Sequence, residues 1–458
     1  MSDSRTAALQ YAHDNNSRFL DELKDFLTIA CISTDPEHQA DMDQAAGWVA
    51  EQLESLGLSG VKIYPTAGNP VVYGEKMANN QAAPTVLIYG HYDVQPAEPL
   101  ELWNSGAFEP VQSGENLYAR GASDMKGQVM AAIKALEAII NTGSLPINIK
   151  FLIEGEEEIG SPNLGEFISS HQELLSSDFA LNPDTGMIAP DLPTITYALR
   201  GLAYFEVRVY GPDHDLHSGS FGGVVLNPAQ ALCELIAGMH DLSGRVTLPG
   251  FYDRVRNLDD EERKQLTRLP LDEEFYLQQT GAPALWGESG YSPVERIGAR
   301  PTLEVNGFYS GFTGEGSKTV IPAWAMAKIS TRLVPDQDPD EVYQQLIRYL
   351  KENAPETIRF EVKNLVGSPA SISDRESVGV MAMQDAMQQV WQKKPLFRRE
   401  GGSVPVVVLF KENLGIESVN CGFSLPDDNA HGPNEKLHLP TWNRGIDTII
   451  NFIYNLAE

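Results

Sequence analysis

Cysteine, basic residues and long apolar runs are all scarce in this chain of 458 residues. The three cysteines (Cys31, Cys233 and Cys421) lie far apart without a CxxC pair, which indicates neither a disulfide framework nor a thiolate zinc site. The 34 basic side chains face 63 acidic ones, and the net charge of -29 disfavours nucleic acids and anionic membranes as partners. We also find neither an apolar run of about 18 residues nor a basic and then apolar leader, and therefore expect a cytoplasmic protein without a membrane span.

The signatures of several common catalytic sites are also missing. The sequence has no G-x-S-x-G segment of a serine hydrolase and no G-x-x-x-x-G-K phosphate-binding loop. It also has no H-E-x-x-H segment, the helical zinc site of many metallopeptidases. Any catalytic site must therefore be assembled from residues that are dispersed along the chain.

Segments of helical and strand character alternate over the first 200 residues. Hydrophobic residues recur at helical spacing in 19–27 and 42–56, which predicts two amphipathic helices. Short apolar runs predict strands at 61–64, 71–73, 85–89, 147–153, 179–181 and 194–199, with helices at 126–140 and 164–175. This alternation is typical of an α/β fold, in which helices cover a sheet.

The character of the sequence changes near Gly201. Residues 204–210 alternate between apolar and polar, as in a half-exposed antiparallel strand. Strands at 302–305, 325–333 and 358–362 and helices at 227–240 and 339–352 follow, around an acidic stretch at 253–279. Helical and apolar segments resume near residue 378 and include an apolar run at 404–410. We predict an α/β domain of residues 1–201 and 377–458, interrupted by an inserted α+β domain at 202–376.

His91 and Asp93 follow the apolar run at 85–89, at the expected carboxyl end of a buried strand. Open α/β sheets bind their ligands at this end of the strands. Side chains two positions apart on an extended segment face the same side, so Asp93 can orient the His91 imidazole as in a metal site. The alternative is a histidine that only hydrogen-bonds the neighbouring acid.

Four further candidates follow predicted strands or lie in loops: Asp124, Glu158, Asp184 and His431. Each also has an ordinary explanation, because Asp124 could cap a helix, Glu158 belongs to an acidic run, and Asp184 and His431 lie in turns or loops. Together with His91 they form a set of imidazole and carboxylate donors that suits zinc or a similar divalent ion. A carboxylate that bridges would allow this set to hold two ions.

Three adjacent acids, Glu156, Glu157 and Glu158, follow the strand predicted at 147–153. Carboxylates crowded at a strand end repel one another. This repulsion raises one pKa toward the range of a general base, unless a cation neutralises the neighbouring charge.

Seven segments, in this order, resemble the M20 family of metallopeptidases, and within it the branch of cytosolic nonspecific dipeptidases and carnosinases. They are GHYDVQP, RGASDMKG, EGEEEIGS, LHSGSFGG, SKTVIP, REGGS and NAHGPNEKL. The resemblance spans nearly the whole chain. It implies an α/β, zinc-peptidase-like catalytic domain, with a mixed sheet covered by helices, and an inserted α+β lid domain that also forms a homodimer.

The resemblance implies a role for each candidate ligand. Asp124 would bridge two divalent ions, His91 and Asp184 would complete one site, and Glu158 and His431 would complete the other. Zinc is the expected metal, with manganese or cobalt as alternatives.

The resemblance also implies the residues that act beside the metals. Asp93 would orient the first histidine ligand, and Glu157 would be the general base. Glu156 is an additional acid, so the choice between the two glutamates stays open. The family further implies a cis peptide bond between Asp124 and Met125.

Residues of the inserted domain acquire roles only through the resemblance. His217 would stabilise the transition state in the active site of the partner subunit, and Arg332 would bind the terminal carboxylate of the substrate. Thr319 and Ser403 would be further substrate contacts. Considered alone, His217 is an ordinary loop histidine and Arg332 an ordinary solvent-facing arginine on a strand.

The predicted function is two-metal hydrolysis of the amide bond in dipeptides or similar small peptides with a free C-terminal carboxylate. A water between the metals would be the nucleophile, and Glu157 would accept its proton. One alternative is an amidohydrolase that removes an acyl or carbamoyl group from an amino acid with the same metals. The other is a metal-binding scaffold without catalysis, which we would expect to have lost the base or a ligand.

Overall fold

The computed structural model describes residues 2–80, 82–402 and 404–458, which divide into two compact units. The first unit contains the residues up to Tyr197 together with Ser373–Phe397 and Val404–Glu458. The second contains Ala198–Ile372 and a short segment that begins at Arg398. The sequence analysis assigned all of 377–458 to one domain, and the segment at Arg398 differs from that division. Within the second unit, Arg399 donates a hydrogen bond of 2.9 Å to the buried carboxylate of Glu262.

The first unit opens with alternating helices and strands. Its helices before the second unit are α1 (Ser2–Leu27), α2 (Gln39–Ser55), α3 (Gly127–Thr142), α4 (Leu164–Ser170) and α5 (Gln172–Leu175). Its strands in the same part are β1 (Ser59–Tyr64), β2 (Val71–Lys76), β3 (Thr85–His91), β4 (Val111–Ser113), β5 (Asn116–Tyr118), β6 (Asn148–Glu154) and β7 (Phe179–Asn182), followed by β8 (Thr194–Leu199), which crosses into the second unit. The single helix predicted at 164–175 is two helices here.

The second unit is built on an antiparallel sheet. Its strands are β9 (Gly201–Tyr210), β10 (Leu216–His217), β11 (Thr302–Ser310), β12 (Val320–Ile321), β13 (Trp324–Leu333), β14 (Arg359–Ser368) and β15 (Ser371–Ile372). Its helices are α6 (Ser218–Phe221), α7 (Pro228–Ala237), α8 (Asp260–Leu266), α9 (Glu273–Thr280), α10 (Pro293–Gly298) and α11 (Pro339–Asn353). The strand order is β11-β13-β9-β14, so the antiparallel pairing predicted for 204–210 is confirmed. Helices α7 and α11 contact this sheet, and their buried residues form a core with it.

Helices α8 and α9 overlap the acidic stretch at 253–279, for which the sequence analysis named neither a helix nor a strand. Asp259 and Asp272 cap them by accepting hydrogen bonds from the N–H groups of Glu262 and Phe275. Helix α9 has no buried residue. It therefore gives no apolar periodicity by which the sequence could have indicated it.

The chain then returns to the first unit. The remaining elements are α12 (Val378–Trp391), β16 (Leu396–Glu400), which crosses the boundary between the units, α13 (Pro405–Leu414), β17 (Ser418–Asn420), β18 (Lys436–His438) and α14 (Leu439–Asn455). The apolar run at 404–410 is thus part of a helix, and Pro405 occupies its first turn, where a missing N–H costs no hydrogen bond.

The sheet of the first unit is mixed, as the resemblance implied, and its strand order is β1-β2-β6-β3-β7-β17-β8. Strand β3 is parallel to β6 and β7, and β7 is parallel to β17. Parallel neighbours end at the same edge of a sheet. The segments that follow His91, Glu154, Asn182 and Asn420 therefore start from one edge.

Helix α3 is the centre of the core of the first unit. Its residues are buried from Gly127 to Ile139, and it contacts both α1 and α14. A side chain at Gly90 of β3 would come within 2.6 Å of Val129, so this glycine allows the helix to approach the strand closely. The close approach places the amino end of α3 next to the end of β3. Among the residues that the structure describes, none of the helices is both long enough and apolar enough for a membrane span.

Candidate metal centre

His91 lies at the end of β3 and is fully buried. Its Nδ1 is 3.0 Å from the backbone oxygen of Asp93 and 3.4 Å from the carboxylate of the same residue. Its Nε2 lies 3.3 Å from Asp124 Oδ1, yet it makes no hydrogen bond within the described residues. A buried ring nitrogen without a hydrogen bond, oriented by a neighbour through its other nitrogen, fits a metal ligand.

The Asp93 carboxylate joins the end of β3 to the turn that follows β6. It is fully buried and accepts hydrogen bonds from the N–H groups of Glu157 and Glu158, at 3.3 and 3.1 Å. One carboxylate thus positions both the His91 ring and the backbone of the two glutamates.

The three adjacent glutamates point in different directions. Glu156 is buried away from the cluster, where its carboxylate accepts hydrogen bonds from the N–H of Asn69 at 3.0 Å and the side chain of Asn163 at 2.9 Å. Glu158 accepts a hydrogen bond of 2.8 Å from the side chain of Gln95. These contacts hold Glu156 away from the cluster, whereas no hydrogen bond reaches the Glu157 carboxylate from the described residues.

Asp124 lies in the turn at the amino end of α3. The peptide bond between Asp124 and Met125 is cis, which confirms the expectation from the resemblance. Lys126 is fully buried and donates hydrogen bonds to the carbonyl groups of Phe26 and Ile29, where α1 ends. A buried lysine is thus satisfied by the free carbonyls of a helix terminus, and it anchors the turn.

Asp184 and His431 reach the cluster from the segments that follow β7 and β17. The Asp184 backbone N–H donates to the side chain of Asn182 at 3.1 Å. The exposed ring of His431 places its Nε2 2.9 Å from Asp124 Oδ2 and 3.3 Å from Glu158 Oε2. The fold therefore brings these two residues to the same place from distant parts of the chain.

The structure assembles two groups of donors, His91, Asp124 and Glu158 in one, and His91, Glu157 and Asp184 in the other. Within each group the ligand atoms lie within 4.8 Å of one another. Donors that bind one zinc ion at about 2.0–2.2 Å lie roughly 3.0–3.5 Å apart. The distances from His91 to Asp124, from His431 to Asp124 and from His431 to Glu158 are similar, at 3.3, 2.9 and 3.3 Å. The groups share His91, whereas the resemblance implied Asp124 as the shared ligand. The donor set fits divalent ions.

The close packing of charged groups shifts the pKa values of this cluster. Burial raises the pKa of Glu157 to about 8, against the opposing effect of His91, and Glu158 adds to the rise. Burial and the charge of Glu157 raise the pKa of Asp184 well above its usual range. Hydrogen bonds with Asp124 and Glu158 raise the pKa of His431 to about 10.

The pKa values of His91 and Asp124 shift in opposite directions. Burial alone would lower the pKa of His91, but Asp124 and Asp93 raise it well above its usual value. Burial alone would raise the pKa of Asp124, but His431 and His91 hold it below its usual range. Both shifts show a strong attraction between the imidazoles and the carboxylates, which a metal ion would replace.

The candidates of the inserted domain lie in the second unit, except that Ser403 falls outside the described residues. The N–H of Ser218 donates to the Thr319 carbonyl at 3.0 Å, so Thr319 lies beside His217. His217 is exposed, and its Nδ1 accepts a hydrogen bond of 3.0 Å from the N–H of Gly219. Its Nε2 therefore carries the ring proton in the neutral form. Arg332 is partly buried on β13, and burial lowers its pKa.

Sequence reasoning assigned no role to Gln95 or Glu435, although both lie in segments that carry the resemblance. Glu435 is fully buried and contacts the Asp124 turn. Burial raises the pKa of Glu435 to about 7, against the lowering effects of Arg120 and of the hydrogen bonds that its two oxygens accept from four donors. Its place in NAHGPNEKL was the available signal, since a buried acid has no local pattern of its own.

A mixed α/β sheet whose parallel strands lead into clustered imidazoles and carboxylates is the scaffold of a metal-dependent hydrolase. The model of peptidase family M20/M25/M40 matches residues 87–455, and the chain belongs to this family.

Similar proteins cover nearly the full length of this chain. A Cys-Gly metallodipeptidase of Candida albicans is 30% identical over 459 residues, which are 95% of this chain and 94% of that protein. The human Beta-Ala-His dipeptidase is 30% identical over 467 residues, with coverage of 98% and 92%. The crystal structure of an M20 family metallo-carboxypeptidase from Sulfolobus solfataricus superposes with a TM-score of 0.85 at 33% identity, over 96% of this chain and 99% of that one.

Metal binding should displace protons from the cluster. Metal-free protein should bind about two divalent ions per chain and release protons at pH 7, because the raised pKa values of His91 and His431 keep both rings protonated until the metal arrives. The apparent affinity should fall about tenfold per pH unit for each proton displaced. Calorimetry with Zn²⁺ in buffers of different ionisation enthalpy measures both quantities.

The matched pair for this experiment is His431→Ala and His13→Ala. His13 is an exposed histidine that contacts an aspartate on another helix, so its replacement should leave the stoichiometry and the proton release unchanged. His431→Ala should reduce both. Full activity of metal-stripped protein, or metal binding without proton release, contradicts the metal centre.

Glu157 can be tested against its neighbour Glu156. Glu157→Gln keeps the size of the side chain but removes the proton acceptor, so kcat should fall by about two orders of magnitude or more while both metals stay bound. Glu156→Gln changes only the contacts with Asn69 and Asn163, and kcat should change little. Metal analysis beside steady-state kinetics separates the roles, because loss of one ion in Glu157→Gln would show Glu157 to be a ligand.

Proposed function

We propose that the protein is a dipeptidase that hydrolyses the amide bond of small peptides with a free C-terminal carboxylate. The observation that carries this proposal is the position of Glu157 among the clustered donors, in a chain whose family and full-length relatives are peptidases. Two of these relatives are named dipeptidases, and they match nearly end to end.

In this proposal five residues hold two divalent ions, of which zinc is the expected one: His91, Asp124, Glu158, Asp184 and His431. Bound ions of this kind lower the pKa of water and polarise a carbonyl group. The cluster supports this role because imidazole and carboxylate donors suit zinc, with manganese and cobalt as alternatives.

Glu157 moves the proton. Its carboxylate takes a proton from the attacking water and passes it to the leaving amine, which requires one group that reaches both positions. Asp93 positions Glu157 for this step, because its carboxylate contacts both the Glu157 backbone N–H and the His91 ring.

His217 supplies a hydrogen-bond donor. Because its Nδ1 accepts from Gly219, the exposed Nε2–H is the free donor of the ring. Such a donor stabilises the oxyanion that forms when the amide carbonyl is attacked. Thr319, which lies beside His217, and Ser403 are the further substrate contacts of this proposal.

Arg332 binds the carboxylate of the substrate. A guanidinium group offers two parallel N–H donors that match a carboxylate, and partial burial strengthens this contact. Its place on a strand in the middle of the sheet supports a fixed geometry, because both neighbouring strands pair with β13.

We further propose that the first unit is the catalytic domain and that the second is a lid through which a homodimer forms. Several large apolar side chains on β11 and β14 are exposed in the single chain, among them Val305, Phe308, Tyr309, Leu365 and Val366. Exposed apolar surface of this kind is typical of a protein–protein contact. A cytoplasmic location is consistent with three cysteines that are all free.

A second candidate function is the release of C-terminal residues from longer peptides. It is favoured by one observation, the similarity at 33% identity to a protein named a metallo-carboxypeptidase.

Rates on free dipeptides, tripeptides, longer peptides and N-acyl amino acids, each with Zn²⁺, Mn²⁺ or Co²⁺, distinguish the candidates. Dipeptides should be the best substrates. Faster cleavage of longer peptides favours the carboxypeptidase, and faster cleavage of N-acyl amino acids favours a deacylase.

Substitution of Arg332 should affect recognition of the free carboxylate. Arg332→Ala should lower kcat/KM for unblocked dipeptides. The loss should correspond to about 1.5–3 kcal/mol of activation free energy, because a hydrogen bond to a charged group is removed. The parent enzyme should cleave amidated dipeptides poorly. Arg208→Ala is the control, because Arg208 is a partly exposed arginine on the adjacent strand and pairs with Glu206. Equal rates on free and amidated forms contradict the assignment.

A mixed dimer tests whether His217 acts in the partner subunit. His217→Ala and Glu157→Ala should each be nearly inactive alone. Half of randomly paired dimers are mixed, and in these one of the two sites has both wild-type residues, so co-expression should restore about a quarter of the wild-type activity. No recovery in mixed dimers that are shown to form would place His217 outside the partner's site.

A further inference from the structure

Glu435 links the two loops that carry Asp124 and His431. It follows His431 by four positions and comes directly before β18, which is antiparallel to β5. The N–H of Ala119, the residue after β5, donates to the Glu435 carbonyl at 3.1 Å. This strand pairing continues into the turn that carries Asp124, so backbone pairing alone places Glu435 beside the turn.

The side chain of Glu435 accepts hydrogen bonds from three backbone N–H groups of the turn and from one arginine side chain. Oε1 accepts from the N–H groups of Ser123 and Asp124, at 2.9 and 3.0 Å. Oε2 accepts from the N–H of Gly121 at 2.9 Å and from Arg120 Nη1 at 2.7 Å. The carboxylate and the guanidinium are both buried, so the contacts are shielded from water.

A second acid of the same loop reinforces the link. The buried carboxylate of Asp428 accepts hydrogen bonds from Ser123 Oγ at 2.8 Å, from the N–H of Leu425 at 2.7 Å, and from Lys436 Nζ at 2.8 Å. The loop that supplies His431 therefore also fixes the backbone that supplies Asp124.

We propose that Glu435 is a positioning residue that sets the Asp124 turn and the His431 loop in their metal-binding arrangement before a metal ion arrives. The inference rests on the proposed function, since it takes Asp124 and His431 as ligands. Glu435 acts through these residues and not on the substrate. Only a carboxylate accepts at both ends, because the amide of a glutamine would turn an NH₂ group toward two donors.

The first experiment compares Glu435→Gln with Glu137→Gln. Glu137 is a matched control, since it is a buried carboxylate of the same unit that pairs with Lys134 and Arg18. It lies ten residues into α3, roughly 15 Å along the helix from Gly127. Calorimetry with Zn²⁺ on the metal-free proteins should show an affinity about 10–100-fold lower for Glu435→Gln. A loss of this size is typical when a residue that orients metal ligands is replaced. Glu137→Gln should bind as the wild type does, even if its melting temperature falls equally.

The second experiment uses the wild-type protein, so it does not depend on a variant that folds. Hydrogen–deuterium exchange of the peptide that covers residues 121–124 should show the N–H groups of Gly121, Ser123 and Asp124 protected in the metal-free protein, because their acceptor is Glu435. Protection should change little when Zn²⁺ is added. Protection that appears only with the metal would overturn the proposal, since the ion and not Glu435 would then order the turn.

The outcomes separate this inference from the proposed function. Wild-type affinity in Glu435→Gln, at any melting temperature, assigns Glu435 a merely structural role. If the wild type binds Zn²⁺ but hydrolyses no peptide, the proposed function fails while the positioning role stands. If the wild type binds no divalent ion, both fail together, whatever the exchange data show.

Discussion

The mutual repulsion of partly buried carboxylates at one edge of the sheet is the constraint on which this structure depends. Asp124, Glu157, Glu158 and Asp184 lie together, and a group of like charges removed from water is unfavourable unless cations or protons balance it. The raised pKa values of Glu157 and His431 show that protons balance it when no cation is bound. Divalent ions that displaced these protons would balance the same charge.

Repelling groups stay together only if their backbones are fixed, and a layer of buried polar residues does this. Asp93 holds the turn of Glu157 and Glu158, Glu435 holds the turn of Asp124, and Lys126 anchors the same turn to the end of α1. Each of these contacts joins a side chain to a backbone group rather than to another ligand. These contacts fix the backbone positions of the candidate ligands, and the folding energy of the unit maintains their arrangement.

In the second unit, strand pairing positions the residues proposed to contact the substrate. Its antiparallel sheet alternates buried and partly exposed residues along β13, so Arg332 is fixed on the side opposite to the core. The strand that ends at His217 pairs with β12, the strand that follows Thr319, over only two residue pairs. Fewer hydrogen bonds therefore hold these two residues than hold the candidate metal ligands. The proposed metal ligands are thus placed by hydrogen bonds to buried polar residues, whereas the proposed residues for substrate lie on strands and loops of the second unit.

Local sequence determined where the strands end and which polar residues follow them, because apolar runs and helical periodicity are local properties. On that basis His91, Asp124, Glu158, Asp184 and His431 could be selected, and the structure brings them together. Only the tertiary structure decided that Glu156 turns away from the cluster, because its partners Asn69 and Asn163 come from other segments. The same holds for Glu435, which lies 311 positions from the Asp124 N–H that it binds. A contact at that separation depends on the pairing of strands, which no local pattern encodes.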